Sequence, residues 1–265
     1  MKTRQSRSLV IAFCSGRAGV GKATVIVNLA AAAQERGLSC LIWDLHPEAP
    51  SLHLHYGLNP IATASDAYLG SARIEDVPIR ICPTTWLVPE RALGKEAERQ
   101  LAAAFPTLLS TLLNRLQPEL VLLNLPPGWS ELIAVACRMA ALCCVVTGDD
   151  IGSILDTYGL LKALLSETEG RDRYSSALLV VGVVDEAEAQ TIVRKLNTVL
   201  ERFVGKRLPL LGAIPYEPWH RKALLHQRPL VELFPDLPAA LLYRKLLQQL
   251  STFRQEEHDS ALLSR

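Results

Sequence analysis

The stretch Cys14-Ser15-Gly16-Arg17-Ala18-Gly19-Val20-Gly21-Lys22-Ala23-Thr24 follows the apolar run Leu9–Phe13 and leads into an alanine-rich segment. A strand, a glycine-rich turn and a helix, in that order, are the setting of a phosphate-binding loop. Gly16 and Gly21-Lys22 keep the G-x-x-x-x-G-K spacing. Glycines let successive backbone N–H groups turn inward around a phosphate, and the lysine adds a point charge. The residue after that lysine is normally Ser or Thr, whose hydroxyl binds magnesium. Here it is Ala23, which has no oxygen to offer. The sequence therefore predicts a phosphate nest over Gly16, Arg17, Ala18, Gly19, Val20, Gly21, Lys22, Ala23 and Thr24, with a metal ligand missing. A turn that merely closes a strand onto a helix is the competing reading.

Composition sets the frame around this loop. At 265 residues, 49% of them hydrophobic, the chain is long enough to bury a sizeable core. Residues 1–265 read as a single α/β domain with no dividing linker, repeat or low-complexity segment. A net charge of +1 supplies no global field for nucleic acid or an anionic membrane. The six cysteines, Cys14, Cys40, Cys82, Cys137, Cys143 and Cys144, show no C-x-x-C and mostly sit in or beside apolar runs. They read as reduced core residues of a cytoplasmic protein, not as a disulfide framework or a zinc site. No signal peptide precedes the first strand, and no apolar run approaches the roughly 18 residues of a membrane span.

Short apolar runs at Leu9–Phe13, Cys40–Trp43, Leu120–Leu123, Leu142–Val146, Ala177–Val184 and Leu208–Ile214 predict strands covered on both faces. Helical patterns alternate with them at Lys22–Arg36, Glu96–Leu116, Ile154–Ser166, Ala187–Phe203 and Ala239–Leu250. Pro106 is expected to break or kink the second helix. Between Asn59 and Gly94, four prolines predict a short helix, an extended piece and loops. This alternation points to a doubly wound, mostly parallel sheet with helices on both faces and ligands at the carboxyl ends of the strands.

Taken in order, these motifs resemble the deviant-P-loop ATPases of the MinD/ParA group over nearly the whole chain. Ser15–Leu29 is similar to that family's S-G-K-G-G-V-G-K-T loop and helix, with Asn28-Leu29-Ala30 in place. Leu41–Gly57 is similar to the second strand and the segment after it. Asp156-Thr157-Tyr158-Gly159-Leu160-Leu161-Lys162 resembles the D-A-Y-A-L-I-K helix. Ile214-Pro215-Tyr216-Glu217, with Gln227-Arg228-Pro229 and Phe234-Pro235, resembles the FlhG (FleN) branch, which sets flagellar number and placement. The resemblance implies protein partners: an FlhF-like GTPase, flagellar components, an active MinD/FlhG paralogue or a second copy of the chain. It also implies recruitment from the cytoplasm to the pole or the inner membrane face.

The departures from the family cluster at its active site. Arg17 stands where an extra lysine reaches across a nucleotide-sandwich dimer, and a planar fork is not a point charge. A solvated surface role for Arg17 competes with a role in trans. Ala18 replaces a loop glycine. His46 stands in place of the aspartate that positions water, Asn124 in place of the Walker B carboxylate, and Gly182 in place of the asparagine that contacts adenine. Phosphoryl transfer rests on positioning and charge neutralisation, so these losses fall on the terms that matter. His46 and Asn124 read as neutral polar residues at strand ends, with no catalytic residue and no protein metal ligand among them. ATP or ADP is expected to bind weakly, with magnesium depending on phosphate and water alone. The leading expectation is a pseudo-ATPase acting through protein contacts. A slow ATP-dependent dimerising switch is one alternative. A ParA-like module binding DNA non-specifically through Arg194, Lys195, Arg202, Lys206 and Arg207 is another, which a solvated helix face explains as well.

Three further features bear on partners. The apolar stripe Ala239, Leu242, Tyr243, Leu246, Leu247 and Leu250 reads as core packing before membrane targeting. The acidic tail, Glu256, Glu257 and Asp259, would be repelled by anionic lipid, so membrane contact is expected to be weak. Trp129 sits where the family's nucleotide-sensing switch lies, as a protein contact or a pocket filler. Gln5 is the sole echo of the FlhG element that stimulates a GTPase partner, and that stimulation is not expected here.

Overall fold

Apolar runs without polar alternation become strands buried on both faces, and every residue of β1 (Leu9–Ser15), β2 (Cys40–Asp44) and β6 (Leu142–Thr147) is buried in the computed structural model of the chain. The structure describes residues 8–166 and 175–263, and Gln5 and the side chains of the tail beyond Ser251 lie outside the described residues. Helix α1 (Lys22–Glu35) follows β1, and α2 (Ala64–Tyr68), β3 (Ile79–Cys82) and β4 (Thr85–Val88) follow β2. Then come α3 (Lys95–Leu116), β5 (Leu120–Pro127), α4 (Glu131–Met139), β6 and α5 (Ile151–Ser166). The chain closes with β7 (Ser175–Val183), α6 (Glu186–Val204), β8 (Leu210–Pro215), α7 (Trp219–Leu225), α8 (Leu230–Leu233) and α9 (Pro238–Leu263).

The eight strands among the described residues form one sheet in the order β3-β4-β2-β5-β1-β6-β7-β8, with β1 near its centre. All neighbours are parallel except β3 and β4, which pair antiparallel at the edge. Two apolar layers cover the sheet. One gathers α3, α4, α5 and α6 over Val10, Ala12 and Cys14 of β1; the other places α1 and α9 over Leu9, Ile11 and Phe13. The period-2 alternation of β1 thus addresses both layers at once.

The Asn59–Gly94 segment holds two strands, β3 and β4, not one extended piece. Pro78 and Pro83 stand outside both strands, so neither removes a ladder donor. The expected break at Pro106 does not occur, since α3 runs through it. Leu101, Phe105, Leu109 and Leu112 form a continuous buried face, and Phe105 packs on Trp43 with ring centroids 5.2 Å apart. That burial outweighs the one backbone hydrogen bond a proline forfeits. Helices α4 and α7 go beyond the sequence expectations; at nine and seven residues they are too short for a full apolar period to stand out.

The α9 stripe is core: Tyr243, Leu246, Leu247 and Leu250 are buried against the α1 face of the sheet. Arg244 clamps α9 to α1 through a two-pronged contact with Glu35, at 2.7 and 2.8 Å, and that guanidinium pulls the Glu35 carboxyl below its usual range. No helix among the described residues is long and apolar enough to cross a membrane.

Asn28 joins α1 to the C-terminal quarter. Its Nδ2 donates to the Thr24 carbonyl at 2.8 Å and its Oδ1 accepts from the Val231 N–H at 3.0 Å. Substituting Asn28→Ala leaves the buried Val231 amide without an acceptor. The expected cost is about 1–3 kcal/mol, read as a lower urea midpoint at unchanged slope.

Candidate nucleotide site

At the carboxyl end of β1 the chain must leave a fully buried strand and enter α1. Gly19 (φ 80°) and Gly21 (φ 98°) make the turn in left-handed conformations that side chains resist. Gly21 caps α1 with no side-chain acceptor, so the first-turn amides of the helix are left to a ligand or solvent. Gly16 is required for a different reason: a Cβ there would collide with the α5 backbone at Asp156 and Thr157. The loop is thus wedged between α1 and α5.

Lys22 is 7% exposed, and its Nζ donates to Ser15 Oγ at 2.6 Å. Ser15 Oγ in turn donates to the Arg17 carbonyl at 2.7 Å, so the ammonium is held against its own loop. Burial lowers the Lys22 pKa to about 8, opposed by the charges of Cys14 and Asp44.

The floor of the site is set by the register of β2 on β5, which places Asp44 opposite Asn124. Asn124 Nδ2 donates to Asp44 Oδ1 at 2.9 Å. Asp44 Oδ2 accepts from the amides of Ser51 and Leu52 at 2.7 and 2.8 Å. Burial pushes the Asp44 pKa up, and these hydrogen bonds pull against it. Among the described residues, Asn124 Oδ1 is buried without a partner. In this geometry Asn124 is a neutral polar residue within β5, hydrogen-bonded to the neighbouring strand.

His46 accepts a 3.3 Å contact from the Ala49 amide at Nδ1. Burial first, then Lys22, lowers its pKa, so the imidazole is held neutral. Arg17 is neither freely solvated nor extended away from the chain. It pairs with Asp150 at 3.1 Å and approaches Asp156 at 3.8 Å, all three side chains being about half exposed. Gly182 has φ 84° at the end of β7 facing Asp149, a conformation that suits glycine better than asparagine.

Together these elements border a cavity of about 840 Å³. The nest residues Arg17 to Gly21 form one wall and Asp149 and Gly182 another. Tyr216, Glu217 and Arg221 close the far side. Of the predicted loop residues, Ala18 points to solvent, while Ala23 packs against the α1 core layer. Sequence reasoning missed Ser15 as the Lys22 partner and Asp150 and Asp156 as the Arg17 partners. It also took the Ile214–Glu217 segment only as a branch marker, although Tyr216 and Glu217 line the cavity. Nothing in the spacing of these residues reveals that they meet; the topology does.

The sequence matches the family described as the CobQ/CobB/MinD/ParA nucleotide binding domain over residues 11–230. It is 28% identical over 251 residues to the antiactivator FleN of Pseudomonas aeruginosa, covering 92% of this chain and 86% of that protein. This likeness bears out the branch read from the C-terminal quarter. The septum site-determining protein MinD of Pyrococcus horikoshii, solved with Mg-ADP, superposes with a TM-score of 0.74 at 22% identity, covering 92% of this chain and 96% of that one. MinD in the MinC:MinD complex of Aquifex aeolicus gives a TM-score of 0.74 at 20% identity over 92% and 96% of the two chains. These neighbours share the predicted P-loop α/β fold.

The electrostatics of the site lead to two expected outcomes. ADP affinity is expected to fall as pH rises through about 8. Only protonated Lys22 attracts the phosphates, and bound phosphate raises its pKa, so binding takes up a proton there. The slope is at most about tenfold per pH unit, measured by calorimetry above the phosphate pKa, and Lys22→Met should flatten it. Asn124→Asp sets two buried carboxylates together, so the pair's folded pKa rises above its unfolded value. Stability is then retained at low pH and lost as pH rises toward neutrality, at a slope of up to about 1.4 kcal/mol per pH unit. Urea midpoints at pH 5 and pH 7, compared with the parent chain, give the sign.

Proposed function

Because the chain belongs to the CobQ/CobB/MinD/ParA nucleotide-binding family, we propose that it is a FleN-like regulator that binds the phosphates of ATP or ADP without hydrolysing ATP. It works through protein contacts, in setting flagellar number or placement or a related act of spatial organisation. Residues 1–265 act as one domain in the cytoplasm, with recruitment to the pole or the inner membrane face. Partners of the kind the family uses, namely an FlhF-like GTPase, flagellar components, an active paralogue or a second copy, receive its output.

The observation that carries this reading is the hydrogen bond from Asn124 to Asp44, beside an alanine at position 23. Bound phosphates would bring negative charge to the Gly16–Thr24 nest, where Gly19 and Gly21 take the left-handed turns that let backbone N–H groups face an anion and Lys22 supplies a positive charge. The nest therefore fits a nucleotide phosphate. The residues present do not fit a magnesium ion. Magnesium is held in nucleotide sites through one or two carboxylates in a near-octahedral oxygen shell. Ala23 has no side-chain oxygen, Asn124 has no charge, and both oxygens of Asp44 are engaged within the protein.

Nor do the remaining groups supply acid–base chemistry. A catalytic base must be free to accept the proton of attacking water. His46 has its Nδ1 facing a backbone amide and a lowered proton affinity. Loss of one such group costs about 10²–10⁴ in rate, and here the charge neutralisation is missing as well. Arg17, tied to Asp150 and Asp156 by exposed ion pairs, can be drawn away by a phosphate or a partner because such pairs are weak. Trp129, 48% exposed beyond β5, gives a partner a large apolar contact.

ADP titrations in EDTA and in magnesium are expected to give dissociation constants within about twofold of each other. ATP turnover should be the same for the chain and Lys22→Ala. Tightening by magnesium of tenfold or more, with turnover that depends on Lys22, would replace this reading with the slow ATPase switch.

A further inference from the structure

Three cysteines scattered along the sequence meet behind the phosphate loop. Cys143 Sγ lies 3.5 Å from Cys14 Sγ and 3.1 Å from Cys137 Sγ. All three sulfurs fall within 4.8 Å of one another, and all three residues are buried. The sheet register explains the meeting. Ala12 of β1 pairs with Cys143 of β6, so Cys14, two residues on, shares the face of the sheet to which Cys143 points. Helix α4 lies on that same face, and Cys137, near its carboxyl end, closes the third side.

Packing alone explains cysteines that sit singly in the core, as Cys40 and Cys144 do on the opposite layer. It does not by itself call for three thiols to converge from three separate elements. We propose that Cys14, Cys137 and Cys143 form a binding site for one copper(I) ion.

The donor set selects the metal. Soft thiolates favour Cu(I), zinc and iron–sulfur clusters over hard cations. Structural zinc is almost always four-coordinate, and among the described residues this group of Cys, His, Asp and Glu side chains stops at three. Cu(I) accepts three sulfurs. With a metal–sulfur length of about 2.3 Å, a trigonal ion holds its sulfurs about 4.0 Å apart. The two separations at Cys143, 3.5 and 3.1 Å, are shorter than that value, so the sulfurs admit the ion by spreading up to about 1 Å, through side-chain shifts with the backbone in place. Lys22, close enough for its charge to act on Cys14, offsets part of the negative charge of the thiolates. The ion would fasten the end of β1, one residue before Ser15, to α4 and β6. This site does not depend on the nucleotide reading, and either can fail without the other.

The test uses the full chain, reduced and handled without oxygen, with Cu(I) delivered as its bicinchoninate complex. The expected result is transfer of one equivalent of copper, a sulfur-to-copper charge-transfer band in the near ultraviolet, and an X-ray absorption spectrum fitted by three sulfurs. Cys143→Ser, which removes the shared neighbour, should weaken retention by roughly a hundredfold or more, while Cys82→Ser, outside the cluster, should not. Should Cys143→Ser fail to fold, Cys137→Ala is expected to give the same loss, and the sulfur count on the parent chain stands by itself. Three results overturn the proposal: no transfer, transfer unchanged in Cys137→Ala or Cys143→Ser, or four free thiols in place of six when the untreated chain is denatured and titrated. The last would mark a disulfide.

Discussion

A lysine ammonium buried beside the central strand is the constraint around which this site is organised. Lys22 begins α1 with only 7% of its surface exposed, and an unpaired buried cation is unstable in a protein interior. Three features answer it. Ser15 presents a hydroxyl oxygen at 2.6 Å, Asp44 supplies a buried negative charge, and the pKa falls to about 8 so that the neutral form is within reach. Each depends on β1 lying between β5 and β6. That placement sets Ser15 at the strand end and brings Asp44, on β2, to the same edge of the sheet through β5.

The same accounting explains why an amide at position 124 is compatible with a well-packed floor. In this chain the charge of buried Asp44 acts on buried Lys22 and raises its proton affinity. A carboxylate opposite Asp44 would repel it unless a metal ion or another cation came with it. Asn124 removes the repulsion and donates a hydrogen bond. Among the described residues its own Oδ1 is left buried without a partner. Ala23 packs against the core layer under α1 and brings no polar group that would need a partner.

Much of this was legible from residue order. The Gly16–Lys22 spacing after an apolar run fixed the loop, and six apolar runs located six of the strands because parallel strands buried on both faces need no alternation to be seen. The edge hairpin was not legible: β3 and β4 are four residues each, and their prolines mask a strand pattern while lying outside it. Pro106 misled in the other direction, because a local propensity was overruled by a buried face that only tertiary packing reveals. At the site, the identities of Asn124 and His46 were readable, but their partners were not. Asp44 and Asn124 are 80 positions apart, and their contact is a consequence of strand order. The cysteine cluster was invisible for the same reason: Cys14 and Cys143 are 129 positions apart and lack the short spacing by which metal ligands are usually found.

Floor and mouth of the cavity differ in a way that matters for function. The floor contacts, Asp44 with Asn124, Ser51 and Leu52, are buried and cannot rearrange without exposing a carboxylate to an apolar interior. The mouth contacts of Arg17 with Asp150 and Asp156 are half exposed and water can replace them at little cost. On the reading proposed above, a phosphate arriving at the nest would compete with those two carboxylates for the same guanidinium. Asp150 also accepts from the Ser153 amide of α5 at 3.0 Å, a contact that would remain if Arg17 changed partner. The response to phosphate would, on that reading, be confined to the outer rim, where α5 also exposes Ile151 and Leu155. A site with a fixed floor and an exchangeable rim is poorly suited to moving water onto a phosphate. On the same reading, it is suited to altering the surface that another protein meets.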